Sequence, residues 1–178
     1  FYKAMWEELK KKGYWSGEIW NHHKNGGEYV VSMTTSHVLG DTGDIQSYVA
    51  LFTDITTMKA HQQQLEHIAH YDVLTNLPNR VLLADRLSQA MLNSQRTKQS
   101  VAVAFLDLDG FKIVNDQYGH EVGDELLIIL TDQMKASLRE SDTLARIGGD
   151  EFVAVLTGLE STNDCEMLLA RLLRVTSS

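Results

Sequence analysis

The chain has 178 residues, a formal net charge of −8, 43% hydrophobic residues and one cysteine. That length holds one full domain plus part of another; the acid excess argues against broad binding along a nucleic-acid backbone, which needs a basic face; and the lone Cys165 excludes an internal disulfide and a cysteine-built zinc site. No apolar run approaches the roughly 18 residues that span a bilayer. No cleavable signal peptide is visible, although the sequence opens as if in mid-domain. The charge suits a protein that holds divalent cations with carboxylates and meets nucleotides through the metal, and it suits plain solubility equally well.

Up to about Met58 the chain has strand and turn chemistry. Tyr29-Val30-Val31-Ser32-Met33-Thr34 and Tyr48-Val49-Ala50-Leu51-Phe52 are rich in β-branched and aromatic residues. The cluster Gly40-Asp41-Thr42-Gly43-Asp44 separates them, and Asn25-Gly26-Gly27 joins Glu18-Ile19-Trp20 to Tyr29. Three antiparallel strands with hairpin connections are expected. From Thr56 to about His70 the pattern turns helical and polar, with Met58, Leu65 and Ile68 near a 3/4 spacing. This fits a linker helix that pairs with a copy of itself and equally a plain surface helix.

Asp72 to Arg80 contains the only proline, Pro78. Val81 to Gln95 predicts an amphipathic helix with Leu83, Leu87 and Met91 on one face. Ser100 to Leu106 is apolar almost throughout and predicts a buried strand. A helix is expected just after Asp109, and another over Glu125–Leu138 with a stripe at Leu126, Ile129, Leu130 and Met134. Strands over Leu144–Ile147 and Phe152–Leu156 flank Gly148-Gly149, and a last helix runs from about Asn163 to Arg174. After a leading helix the order is β-α-α-β-β-α, which indicates an α/β (α+β) layered domain.

Carboxylates stand at two places where chemistry would use them. Asp107-Leu108-Asp109 lies at the carboxyl end of the apolar strand, where open sheets bind ligands. Asp150-Glu151 follows two glycines that allow φ > 0 and a tight hairpin. If that hairpin lies beside the apolar strand, Asp107 and Asp150 can share a Mg²⁺ ion, which takes one or two carboxylates and completes its shell with water and phosphate. Two such ions stabilise the attacking and leaving oxygens of a displacement at phosphorus. Taken singly, Asp109 also reads as a helix N-cap and Gly148-Gly149-Asp150 as a turn. An EF-hand is excluded: Gly110 comes too early, and Tyr118 stands where the last carboxylate belongs.

Together these pieces resemble the GGDEF family of diguanylate cyclases, the enzymes of a bacterial second messenger. Asp107-Leu108-Asp109-Gly110-Phe111-Lys112-Ile113-Val114-Asn115-Asp116, continuing through Gly119-His120 to Gly123-Asp124, looks like the family's long first motif. Gly148-Gly149-Asp150-Glu151-Phe152 matches its name motif, and Asp72-Val73-Leu74-Thr75-Asn76-Leu77-Pro78-Asn79-Arg80 looks like its opening motif. The resemblance implies a nucleotidyl-cyclase or polymerase-palm-like sheet flanked by helices. It implies condensation of two GTP into cyclic di-GMP with release of pyrophosphate, by a homodimer using Mg²⁺ or Mn²⁺. Asp107, Asp150 and the Leu108 carbonyl would hold the metal, and Asp150 or Glu151 would help deprotonate the attacking 3′-hydroxyl. Asn115 and Asp124 would read the guanine edge, whose N–H donors adenine lacks. Phe111 and Lys112 would cradle the triphosphate. Arg139 and Asp142 have the spacing of the family's inhibitory product site; Arg139 also reads as a basic residue at a helix C-terminus. Asp124 also reads as the N-cap of the helix that follows it.

The first segment is similar to the C-terminal half of a PAS sensor domain, carried by Trp15-Ser16-Gly17-Glu18, Lys24-Asn25-Gly26-Gly27-Glu28-Tyr29 and Phe52-Thr53-Asp54-Ile55-Thr56. Its ligand is not readable, and His22, His23 and His37 read as surface residues rather than haem or metal ligands. The expected organisation is a PAS part over 1–57, a linker helix over 58–70 and a C-terminally incomplete GGDEF domain over 71–178. A cytoplasmic location is expected, in keeping with a single cysteine and a reducing compartment, with upstream membrane anchoring left open. The rival expectation is a non-catalytic module that binds GTP or cyclic di-GMP and regulates an attached unit such as a phosphodiesterase; a third is a purely structural dimerisation fragment.

Overall fold

Turn chemistry and apolar periodicity sort the chain into two units, which divide between Leu65 and Glu66 in the computed structural model; it describes residues 1–176. In the first unit α1 (Tyr2–Lys12) precedes β1 (Tyr14–His22), β2 (Glu28–Leu39) and β3 (Ile45–Asp54). The three strands form the expected antiparallel sheet, in the order β1-β2-β3. Gly26, at φ 89°, closes the first hairpin, and the Gly40 amide donates to the Asp44 carbonyl in the second.

Helix α1 lies outside the elements the sequence pattern predicted, although it carries the usual signals. Met5 and Leu9 stand four residues apart, so they share a face, and they are buried against Trp15, Ile19, Val31 and Met33 of the sheet. Gly13 ends the helix in the left-handed region at φ 84°, its amide donating to the Leu9 carbonyl, after three lysines that favour the negative end of the helix dipole. At the other end of the unit the Asp54 carboxylate accepts the hydroxyl (2.6 Å) and amide (2.9 Å) of Thr56, which hold its pKa below the ordinary value.

Helix α2 (Thr56–His70) has no buried residue; Met58, Leu65 and Ile68 are all exposed, Leu65 at 68%. No helix among the described residues is long and apolar enough to cross a membrane.

The second unit contains α3 (Arg80–Thr97), β4 (Ser100–Asp107), α4 (Phe111–Tyr118), α5 (His120–Ser137), β5 (Thr143–Gly148), β6 (Glu151–Leu159) and α6 (Thr162–Thr176). The order after α3 is the expected β-α-α-β-β-α. The sheet is antiparallel in the order β4-β6-β5. Strand β6 is central and alternates with period two. Phe152, Ala154 and Leu156 pack with Leu127 and Met134 of α5 and with Leu168 and Leu172 of α6, while Val153 and Val155 pack with Leu83 of α3. The result is a sheet flanked by helices on both faces.

Three expectations are corrected. Among the described residues strand β4 is not the buried strand: it is a sheet edge with Val103 exposed and Phe105 exposed at 77%, while β6, paired on both sides, is the buried one. An apolar run alone does not separate a central strand from an edge whose second face is open. The buried stripe of α5 is Gly123, Leu127, Thr131, Met134 and Ser137, with Ile129 exposed. The helix starts at His120 rather than Glu125, and small or weakly polar residues occupy buried positions where α4 and α6 pack against it. Met91 is exposed, and Ala90 packs toward the sheet in its place. The last two residues of the expected 71–178 domain lie outside the described residues.

Candidate active site

The site is built at the carboxyl end of β4, where backbone geometry and charge meet. The β4–β6 register sets Asp107 directly opposite Glu151, so the two carboxylates share one side of adjacent strands, with Asp150 in the hairpin turn beside them. Gly148 (φ 153°) and Gly149 (φ 52°) both take backbone conformations that favour glycine, as the paired glycines predicted. Among the described residues Asp107, Asp150 and Glu151 have no ion-pair partner. Carboxylates on adjacent strands without a basic partner are suited to a cation. No three His, Cys, Asp or Glu residues converge as a preformed cage among the described residues. An open site with few carboxylates fits Mg²⁺, which retains water and phosphate ligands.

Immediately after β4 the chain turns into α4. The Leu108 carbonyl accepts the Phe111 amide at 3.1 Å and retains a second lone pair. Gly110, at φ 82°, is the N-cap, so Asp109 is not; the capping reading of Asp109 is corrected. Phe111 packs on the core beneath, while Lys112 is exposed. Asn115 on α4 and Asp124 on α5 stand on either side of the Gly119 corner, where the Gly119 amide donates to the Asn115 carbonyl at 2.9 Å. Asp124 lies inside α5 rather than ahead of it, so its N-cap reading also falls. The Asn115 Oδ1 atom is buried against Gly123 without a hydrogen-bond partner, which leaves the Nδ2 group as the amide's donor.

Sequence reasoning missed Arg146, two residues before the paired glycines. Its Nη1 donates to Asp72 Oδ1 at 2.8 Å and its Nε to the Gly149 carbonyl at 2.9 Å, so one guanidinium ties the opening motif to the hairpin. The Arg146 amide also donates to the Pro78 carbonyl. Burial pushes the Asp72 carboxyl up, but the Thr75 hydroxyl and amide together with Arg146 outweigh it and hold the pKa below the ordinary value. Asn79 completes the segment. Its Oδ1 caps α3 through the Val81 and Leu82 amides, and its Nδ2 donates to the Ala69 carbonyl at the end of α2. The signal was Asn before a periodic run.

On another part of the unit, Asp142 accepts the Arg139 amide (3.1 Å) and the Thr157 amide (3.0 Å), and so shapes the turn between α5 and β5. A cavity of about 440 Å³ adjoins it, lined in part by Arg86, Gln89 and Asn93 of α3 with Glu140, Asp142 and Thr157. Arg86, Gln89 and Asn93 recur at helical spacing and went unnoticed because no local motif marks them. His22 faces Glu28 at 3.6 Å and His23 stacks on Tyr29, whereas His37 is corrected from a surface residue to a half-buried one, its Nδ1 buried without a hydrogen-bond partner.

A family model described as "Diguanylate cyclase, GGDEF domain" matches residues 69–177. The bifunctional diguanylate cyclase/cyclic di-GMP phosphodiesterase MucR of Pseudomonas aeruginosa is 49% identical over 105 residues, 59% of this chain and 15% of MucR. The isolated GGDEF domain of TpbB from the same organism superposes with a TM-score of 0.59 at 38% identity, covering 61% of this chain and 63% of that one. The coiled coil and GGDEF domain of DgcB from Caulobacter crescentus, solved in complex with c-di-GMP, gives 0.58 at 27% identity over 66% of this chain and 61% of that one. The chain thus spans only a small part of the length of a relative such as MucR. With three motifs at one end of a helix-flanked sheet and a family model covering nearly all of the second unit, the chain belongs to the GGDEF-domain family of diguanylate cyclases.

Proposed function

We propose that the second unit is a diguanylate cyclase head, which joins two GTP into cyclic di-GMP and releases two pyrophosphates. The reading rests on the register between β4 and β6, which brings Asp107 of the first motif opposite Glu151 of the second. Asp107, Asp150 and the Leu108 carbonyl would hold Mg²⁺ or Mn²⁺. The bound metal would neutralise phosphate charge and polarise the α-phosphorus. Asp124 accepts the guanine N–H donors, and Asn115 reads the same edge and helps fix the base. Phe111 and Lys112 hold the triphosphate, and Asp150 or Glu151 takes the proton of the 3′-hydroxyl. The 3′-oxygen of one GTP then bonds to the α-phosphorus of the other as the bond to pyrophosphate breaks, and the symmetric step closes the ring. Positioning accounts for most of the gain.

A two-fold product calls for two protomers facing each other, each with one GTP. The exposed Met58, Leu65 and Ile68 on α2 suit pairing with a second copy, and a PAS-like first unit would set how two heads meet. Asp142, which lines the cavity with Arg86, and Arg139, whose amide it accepts, are suited to product binding and inhibition. GTP as substrate sets the reaction in the cytoplasm. MucR, bifunctional by name, favours one second reading: a GGDEF unit that regulates an attached phosphodiesterase. Pyrophosphate release from GTP with Mg²⁺ separates the two. Release that depends on Asp107 and Asp150 supports the cyclase, and GTP binding without release supports the regulator.

A further inference from the structure

Gly123 is a buried helical residue of α5, directly before Asp124 and beneath Asn115 of α4. A Cβ built at Gly123 would overlap the Asn115 amide oxygen, lie 3.0 Å from Asn115 Cγ and lie 3.3 Å from Phe111 Cζ. The missing side chain therefore makes a notch between α4 and α5, and the Asn115 amide occupies it. That amide oxygen is sealed there without a hydrogen-bond donor. No backbone requirement explains a glycine at this position: its conformation is helical, and alanine is the better helix former.

We propose that Gly123 is a positioning residue for guanine recognition, acting by holding the Asn115 amide in register with Asp124. The proposal rests on the reading that Asn115 and Asp124 bind the guanine edge. Any side chain at 123 rotates the Asn115 amide out of its notch. The conflict is with the far end of a flexible side chain, so the fold tolerates the change while the base-reading pair is misaligned. The effect falls on nucleotide affinity and on guanine selectivity rather than on the chemical step.

The test is a double-mutant cycle of Gly123→Ala and Asn115→Ala in the full-length protein. It measures affinity for GTP, ITP (which lacks the exocyclic amino group) and ATP with Mg²⁺, and the melting midpoint of each variant. Gly123→Ala is expected to weaken GTP at least fivefold, to narrow the GTP-over-ITP preference, and to leave the melting midpoint and kcat at saturation near wild type. In the Asn115→Ala background, where the overlapping amide is gone, Gly123→Ala is expected to cost nothing further. Wild-type GTP affinity in Gly123→Ala, an equal additional loss in the double variant, or loss of folding in both backgrounds would each overturn the proposal. If Asn115→Ala itself keeps full affinity and selectivity, the guanine reading fails, and the proposal with it.

Discussion

Arg146→Ala probes the tie between the opening motif and the catalytic hairpin. The Arg146 side chain is only 11% exposed and that of Asp72 only 23%. Removing the guanidinium deletes a charged hydrogen bond to Asp72 Oδ1 and a second bond to the Gly149 carbonyl. A hydrogen bond to a charged group contributes about 1.5–3 kcal/mol, and an ordinary one about 1. Breaking a fully buried pair costs about 3–5 kcal/mol; partial exposure and the remaining Thr75 donors bring the expected loss to about 2–3. For a unit of this size that lowers the melting midpoint by roughly 10–15 °C. Arg146→Lys keeps the charge without the two-pronged geometry and should fall between. Circular dichroism melts of wild type, Arg146→Ala, Asp72→Asn and the double variant give the coupling, expected to be about 1 kcal/mol or more. Additive losses, or an unchanged midpoint in Arg146→Ala, would refute the tie.

Other outcomes follow from the same geometry. The folded pKa of Asp72 lies below its ordinary value of 3.8, so its carboxylate contributes full stability above that pH and loses it as pH falls through the lower folded value. Asp72→Asn should therefore be most destabilising relative to wild type at neutral pH, with the difference fading in acid-unfolding titrations below 3.8. Asp124→Ala should shift stability by less than about 0.5 kcal/mol, the range of a surface change, rather than the ~1 kcal/mol of a lost N-cap. Its GTP affinity, measured by calorimetry, should fall about tenfold or more, as expected for a lost charged hydrogen bond.

Much of this was legible because its signals are local. Turn clusters at Asn25–Gly27 and Gly40–Asp44 marked the hairpins, and paired glycines marked the Gly148-Gly149 turn. What was not legible depended on tertiary partners. Whether the apolar run Val101–Leu106 is central or an edge depends on how many strands pair with it, and the answer was β6 on one side. Gly123 and Thr131 do not look like core residues, yet they face it because a neighbouring helix approaches closely. The Arg146–Asp72 pair spans 74 positions, and no periodicity predicts such a contact. In the site, spacing found Asp107 and the Asp150 hairpin separately, and only the strand register joined them.

The most direct test of the cyclase reading is to incubate the full-length protein with GTP and Mg²⁺ and identify the product by mass, alongside Asp150→Ala. Cyclic di-GMP with pyrophosphate from the wild type, and none from Asp150→Ala, is the predicted result. Cyclic di-GMP from Asp150→Ala at the wild-type rate, or GTP bound by the wild type and never converted, would contradict it.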